Sequence, residues 1–342
     1  VLRGKDIHEN GTYHTEGLPA GRYTATAAQF PPKRRQYGVP LRQVSKQIEL
    51  KADKTVEIDF DLGEANPGEV KNVETSSKEA LLQFPEDRSL GVVLVRDTSG
   101  ISHLPGWERL AEAKGLVTIP TGKEVRLRIS KNGAKDLSPL EDLDPNVIDV
   151  LDLSESQAEN EELKHVAHLT GLEELDATGT YLTDDGVQDL LALRSLERLD
   201  IGDTHVGDEG VARLTKLPAL DSLCIYRTPI SDDALQSVSQ MSLLQNLTIG
   251  DAAITDTGLA HLRNMTRLRR LNLFNGAISN NGLKHISRMD GLECLDIDGD
   301  ITDEGLKHLY GLKSLRWISL HTDTVSEEAV EKLQAQLPLL EE

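Results

Sequence analysis

From about Ile148 to Leu333 the chain repeats itself at an offset of 24. Leu175, Leu199, Leu223, Leu247, Leu271 and Leu295 form one column, and Ile318 follows after 23. A second column runs through Val187, Val211, Leu235, Leu259, Leu283, Leu306 and Val330 with the same single deletion. Each unit reads L-x-x-L-x-x-L-x-[LI], a polar loop, then [ILV]-[ST]-[DEN]-x-[GA]-[LV]. A fixed period of this length marks a stacked array, because one such unit cannot bury its own leucines. In Glu174-Leu175-Asp176-Ala177-Thr178 apolar and polar residues alternate, the pattern of a strand buried on one face.

These residues closely resemble the leucine-rich repeat family, in particular the bacterial type with short helices and a T-D-x-G-L loop. The resemblance covers about 200 residues, from about 146 to 340. It implies an α/β solenoid with a parallel sheet on the concave side and short helices on the convex side. It also implies that the concave face binds proteins or peptides.

The loop after each strand carries a hydroxyl in one column: Thr183, Ser231, Thr255, Ser279, Thr302 and Ser326. A hydroxyl there can cap the free N–H groups of a helix. Gly207 replaces it once, and that cap should be weaker. Acidic pairs follow, as in Asp184-Asp185 and Asp232-Asp233, where the helix macrodipole stabilises each by roughly 0.3–1 kcal/mol.

The net charge of −20 is unevenly spread. Residues 136–342 hold 39 acidic against 16 basic residues, whereas the two kinds nearly balance before them. That argues against nucleic acid on a basic surface and leaves room for a basic protein or peptide partner. No run of about 18 apolar residues exists, so no membrane insertion is expected within this sequence. Val1 reads as the cut end of a longer chain. Cys224 and Cys294 lie three repeats apart, roughly 14 Å at one strand spacing per repeat. A disulfide needs Cα atoms within about 7 Å, so both are expected to be free, out on the sheet face and open to a small maleimide.

Residues 1–62 read as all-β. Gly11–Thr15 and Arg22–Thr26 alternate about the turn Leu18-Pro19-Ala20-Gly21, and Gln43–Lys51 and Thr55–Leu62 alternate about Ala52-Asp53-Lys54. Gly17-Leu18-Pro19-Ala20-Gly21-Arg22-Tyr23 together with Thr55–Leu62 resembles the carboxypeptidase-regulatory-like or transthyretin-like sandwich family, without its first strands. That resemblance implies a truncated, non-catalytic β-sandwich, in a family common outside the cytoplasm or in the cell envelope. Pro31-Pro32-Lys33-Arg34-Arg35 reads as a solvated insert. Residues 63–77 read as a linker.

Residues 78–135 read as a bridge: a strand at Leu90–Arg96, a short helix at Trp107–Lys114 closed by Gly115, and a hairpin of Leu116–Ile119 with Lys123–Ser130. Leu127 and Ile129 precede Leu151 and Leu153 by 24, so the hairpin's second strand is in phase with the array and should cover its N-terminal edge. Ser138-Pro139 then reads as a helix cap. Residues 136–342 are the repeats, closed by an amphipathic helix from Val330 to Leu340.

The alternation sends three columns to the concave face. Asp152, Asp176 and Asp200 stack at like-charge spacing, which costs energy unless a cation or donor is near. Tyr226, Phe274, Trp317 and His321 place rings on a face the fold leaves wet, and Arg198 and Arg270 join them. These nine are the candidate binding residues. Asp296–Asp300 mimics a calcium loop, but its Gly and Glu stand at the wrong positions. His165, His261, His285 and His308 share a convex position and read as a recurring polar site. No nucleophile, base or phosphate motif appears, so no catalytic residue, metal or cofactor is expected. The reading is a non-catalytic protein- or peptide-binding module. Its rivals are a passive spacer of a cell-envelope protein and a regulatory region of an upstream enzyme or membrane domain.

Overall fold

The computed structural model describes residues 21–29 and 42–50 as backbone, and residues 80–97 and 106–340 in full. The chain divides into two units, Val1–Ser76 and Ser77–Glu342. In the first, β1 (Gly21–Gln29) and β2 (Arg42–Leu50) pair antiparallel. The sequence places strands at both, but pairs each with a segment outside the described residues. The sandwich reading and the 63–77 linker also lie outside them.

The second unit begins with β3 (Ala80–Gln83), β4 (Gly91–Asp97), β5 (Glu108–Glu112), β6 (Leu116–Ile119) and β7 (Lys123–Ile129). The repeat strands follow: β8 (Val150–Asp152), β9 (Glu174–Asp176), β10 (Arg198–Asp200), β11 (Ser222–Tyr226), β12 (Asn246–Gly250), β13 (Arg270–Phe274), β14 (Cys294–Asp298) and β15 (Trp317–His321). β7 to β15 run parallel in chain order, and β4 and β5 extend the same 11-stranded sheet beyond β7. The register is the sequence period itself: Leu151, Leu175, Leu199, Leu223, Leu247, Leu271 and Leu295 align strand to strand. All seven are at most 2% exposed and belong to one continuous core.

Two expectations for the bridge are overturned. Glu108–Glu112 is strand β5, not a helix, because pairing with β4 fixes Val92 opposite Glu112 and Val95 opposite Glu108. Gly115 then takes φ +61° in a turn between strands rather than ending a helix. The expected hairpin does not pair with itself either. β6 pairs with β3, while β7 pairs with β4 and β8. The cap of the array is therefore the antiparallel trio β7, β4 and β5, with Leu127 opposite Leu151 in register. Ser138 begins a 3-10 turn (Ser138–Asp142) and makes no cap bond; its hydroxyl donates to Asp136 Oδ1 at 2.6 Å.

The convex side carries α1 (Asn160–Leu163), α2 (Asp184–Leu190), α3 (Asp208–Leu214), α4 (Asp232–Val238), α5 (Asp256–Leu262), α6 (Asn280–Ile286), α7 (Asp303–Leu306) and α8 (Glu327–Gln336). The first residue of most of these helices does more than face the dipole. Asp208, Asp232, Asp256 and Asp303 each accept the N–H and the hydroxyl of the next repeat's capping residue, at 2.6–2.8 Å. Asp184 meets Gly207, which has no hydroxyl, and accepts the N–H groups of Gly207 and Gly210 instead.

This ladder explains which hydroxyls cap. Ser231, Thr255, Ser279 and Ser326 give their proton to an Asp, so their lone pairs remain free to accept a helix N–H. Thr183 and Thr302 face Asn160 and Asn280, whose amides donate to the hydroxyl, and neither caps its helix. A half-buried carboxylate accepting two bonds is worth about 2 kcal/mol when removed. Asp256→Ala should therefore lose about that much in urea unfolding. Asp256→Asn should lose less, because its Oδ1 still accepts the Ser279 N–H. Equal losses would mean that the retained Ser279 N–H bond contributes nothing.

Candidate binding face

The solvent side of the parallel sheet is built from the polar positions of each strand. At its N-terminal end the cap supplies the cations. Register pairs Arg126 with Val150 and Arg128 with Asp152, so both arginines extend the sheet-face columns by one strand. Arg128 Nε donates to Asp152 Oδ2 at 2.7 Å, and the Ser154 hydroxyl and N–H donate to Oδ1 at 2.7 and 3.2 Å. Burial would raise the Asp152 pKa, but the bonds from Ser154 and Arg128 outweigh it and hold the carboxyl below its ordinary value. Asp152 is only 5% exposed. Glu174 is bonded on both sides, by Arg126 Nη2 at 3.0 Å and Arg198 Nε at 2.8 Å. Trp107 stacks beneath this group, with Arg96 and Arg126 guanidinium carbons 4.5 and 4.8 Å from its ring centre.

Asp176 and Asp200 lack such cations. Each accepts an N–H two residues on, from Thr178 at 3.0 Å and Gly202 at 2.9 Å. Burial, outweighing the Thr178 bonds, raises the Asp176 pKa, and Asp200 and Asp152 add to the rise. The like-charge stack is therefore real at its centre and neutralised at its first member. Arg198 is committed to Glu174, whereas Arg270 is exposed and ion-paired to no described carboxylate.

Cys224 continues the Asp column. Burial, with Asp200 beside it, pushes its thiol up to about 12. Cys224 and Cys294 are both free and half-buried. The expectation that both react readily is thus corrected for Cys224, whose thiolate is scarce at ordinary pH.

The rings gather farther along. Tyr226, Gly250, Phe274, Asp298 and His321 occupy one column of successive strands. The Tyr226 ring lies back over Gly202, where a Cβ would come within 2.3 Å of it. Phe274 lies over Gly250, where a Cβ would meet the Phe274 Cβ at 2.9 Å. His321 sits 6.4 Å from the Phe274 ring centre and bonds Asp296 through Nε2 at 2.9 Å. Between Tyr226 and Phe274 an open groove of about 400 Å³ has Asp251, Asn275, Asp298 and His321 on its walls. Trp317, at the far end of the face, is 44% exposed.

Sequence reasoning missed the groove rim. Residues 203, 227, 251 and 275 all adopt left-handed backbone, with φ between 49° and 55°. That turn brings Asn275 Nδ2 to Asp251 Oδ1 at 2.7 Å and its N–H to Asp298 Oδ2 at 3.3 Å. The 24-residue offset also reaches Arg126 and Arg128, since they flank the in-phase Leu127. The calcium-like segment is used otherwise: Asp296, Asp298 and Asp303 accept from His321, Asn275 and Ser326. Among the described residues no cluster suits a metal ion. His165 Nδ1 lies 2.6 Å from Glu141.

Residues 192–214 match the family model described as a leucine-rich repeat. That stretch, one unit of the array, is similar to a leucine-rich repeat. No curated protein matches the chain. Two solved structures are similar to it, both from Listeria monocytogenes. One is the internalin InlF, at 21% identity over 60% of this chain and 63% of that one, with a TM-score of 0.47. The other is the internalin InlC2, at 24% identity over 57% of this chain and 80% of that one, also with a TM-score of 0.47. The chain thus spans less than two thirds of the length of the first. Among the described residues no helix is long and apolar enough to cross a membrane.

Two outcomes follow from this face. Folding raises the Asp176 pKa, so the folded state is penalised only where the unfolded carboxyl would be charged. The penalty is absent below 3.8, the ordinary value, and is complete above the raised folded value. Asp176→Asn should therefore raise the melting temperature at neutral pH and not in acid. A gain that is the same at both pH values would show that the charge is not its source. Cys224 should also resist a maleimide in the native state under conditions that label it fully in denaturant. Rapid native labelling, located by mass spectrometry, would contradict its burial.

Proposed function

We propose that the repeats form a non-catalytic binding module whose ligand is a protein or peptide held on the open face of the parallel sheet. The supporting observation is the set of rings at Tyr226, Phe274, His321 and Trp317 on that face. Trp317 and His321 are exposed, and Tyr226 and Phe274 are half-buried beside an open groove, which leaves apolar area in water that a partner would cover. The other side of the sheet is already filled by leucines, so the rings contribute nothing to the core. Asp176 and Asp200 add a negative centre without cations of its own, which favours a basic partner. Asp152 is already satisfied by Arg128 and contributes least.

An extract of the source organism, captured on the immobilised chain, tests this reading. The wild type is compared with Tyr226→Ala plus Trp317→Ala and with Asp176→Asn plus Asp200→Asn. Loss of a true hot spot costs roughly 2 kcal/mol, about thirtyfold in affinity. The aromatic pair should abolish recovery of a specific partner at any salt. The acidic pair should weaken it chiefly at low salt. The same partners recovered equally by all three would favour a passive spacer.

A further inference from the structure

We infer that the groove between Tyr226 and Phe274 receives one cationic side chain, a lysine or arginine, from an extended segment of the partner. This rests on the open-face reading above and adds the chemistry of one subsite. Shape comes first. Strands stack at roughly 4.8 Å, so rings two strands apart stand about 10 Å from one another. Tyr226 leans back over Gly202 and Phe274 leans back over Gly250, so the two rings stay apart and the groove opens between them. An open groove of about 400 Å³ beside the two rings admits one long side chain.

Charge then selects the guest. Two carboxylates, Asp251 and Asp298, line the groove, and neither a lysine nor an arginine lines it. Asn275 holds both acids in place with one bond each, leaving further lone pairs on each carboxylate. His321 is engaged with Asp296, and Arg227 lies 3.7 Å from Asp203. Burial, then Asp200 and Asp203, raises the Tyr226 phenol pKa against the opposing pull of Arg227. A cation gains from the ring faces and from charge-assisted bonds to the acids. An apolar guest of the same length would strip water from those carboxylates and give them no donor. An acidic guest would be repelled. At the cap end, by contrast, Arg126, Arg128 and Arg198 already answer Glu174 and Asp152.

The test uses the full chain and four capped tripeptides of the form Gly-X-Gly, where X is arginine, lysine, citrulline or norleucine. Amide and side-chain NMR shifts report where each peptide binds. Arginine and lysine should perturb Tyr226, Gly250, Asp251 and Asn275 with saturable curves, and the neutral analogues should bind at least tenfold more weakly. Tyr226→Ala should remove the response. Asp298→Asn, which can still accept the Asn275 N–H, should weaken it, and Asp176→Asn should not. Equal binding of citrulline or norleucine would overturn the charge requirement. Shifts that map only to Asp176 and Asp200 would overturn the groove while leaving the open-face reading intact. No shift with any peptide at millimolar concentration would overturn the subsite, whereas failure of the open-face reading would appear in the capture experiment.

Discussion

The parallel alignment of one leucine column is the constraint on which the rest of this molecule depends. Leu175 can be buried only if Leu151 and Leu199 lie beside it, and the same holds along the array. That alignment pins the polar side as well. The Asp and Asn residues that open the helices reach the next repeat's capping residue at 22 or 23 positions' distance. Acidity in the loops is therefore cohesive. Each carboxylate accepts donors that the neighbouring helix end cannot satisfy internally.

An array needs its first strand covered, and here the cover is also electrostatic. β7 enters the sheet antiparallel to β4 and parallel to β8, converting an antiparallel cap into a parallel array. The inward residues of β7 continue the apolar core. Its outward residues, Arg126 and Arg128, continue the sheet face with the opposite sign from the acids they meet. The outermost strand, β5, carries Glu108, Arg109 and Glu112, charges that discourage pairing with another chain.

The open face thus has distinct zones. Near the cap its charges are paired internally. At its centre Asp176, Asp200 and the half-buried Cys224 form a negative patch. Beyond this, rings lean over glycines of the preceding strands and leave a groove rimmed by acids. Side-chain identity at three columns, on an invariant backbone, produces these differences.

The periodic parts of the chain were legible from sequence alone. Period 24 placed the leucine columns, the strand and helix positions, the phase of Leu127 and the outward set of Asp176, Tyr226, Phe274 and Trp317, because stacking repeats the same local geometry at every unit. Tertiary structure decided whatever depended on a neighbour without that period. Glu108–Glu112 became a strand because β4 offered it an edge, overriding its helix-like composition. Leu116–Ile119 took β3 as partner rather than its own hairpin mate. Asp152 lost its exposed charge because an arginine from the cap fell opposite it. The groove exists because left-handed turns at Asp251 and Asn275 carry their side chains to the rings; Asp and Asn tolerate that backbone, but the loop's packing decides which of them adopt it.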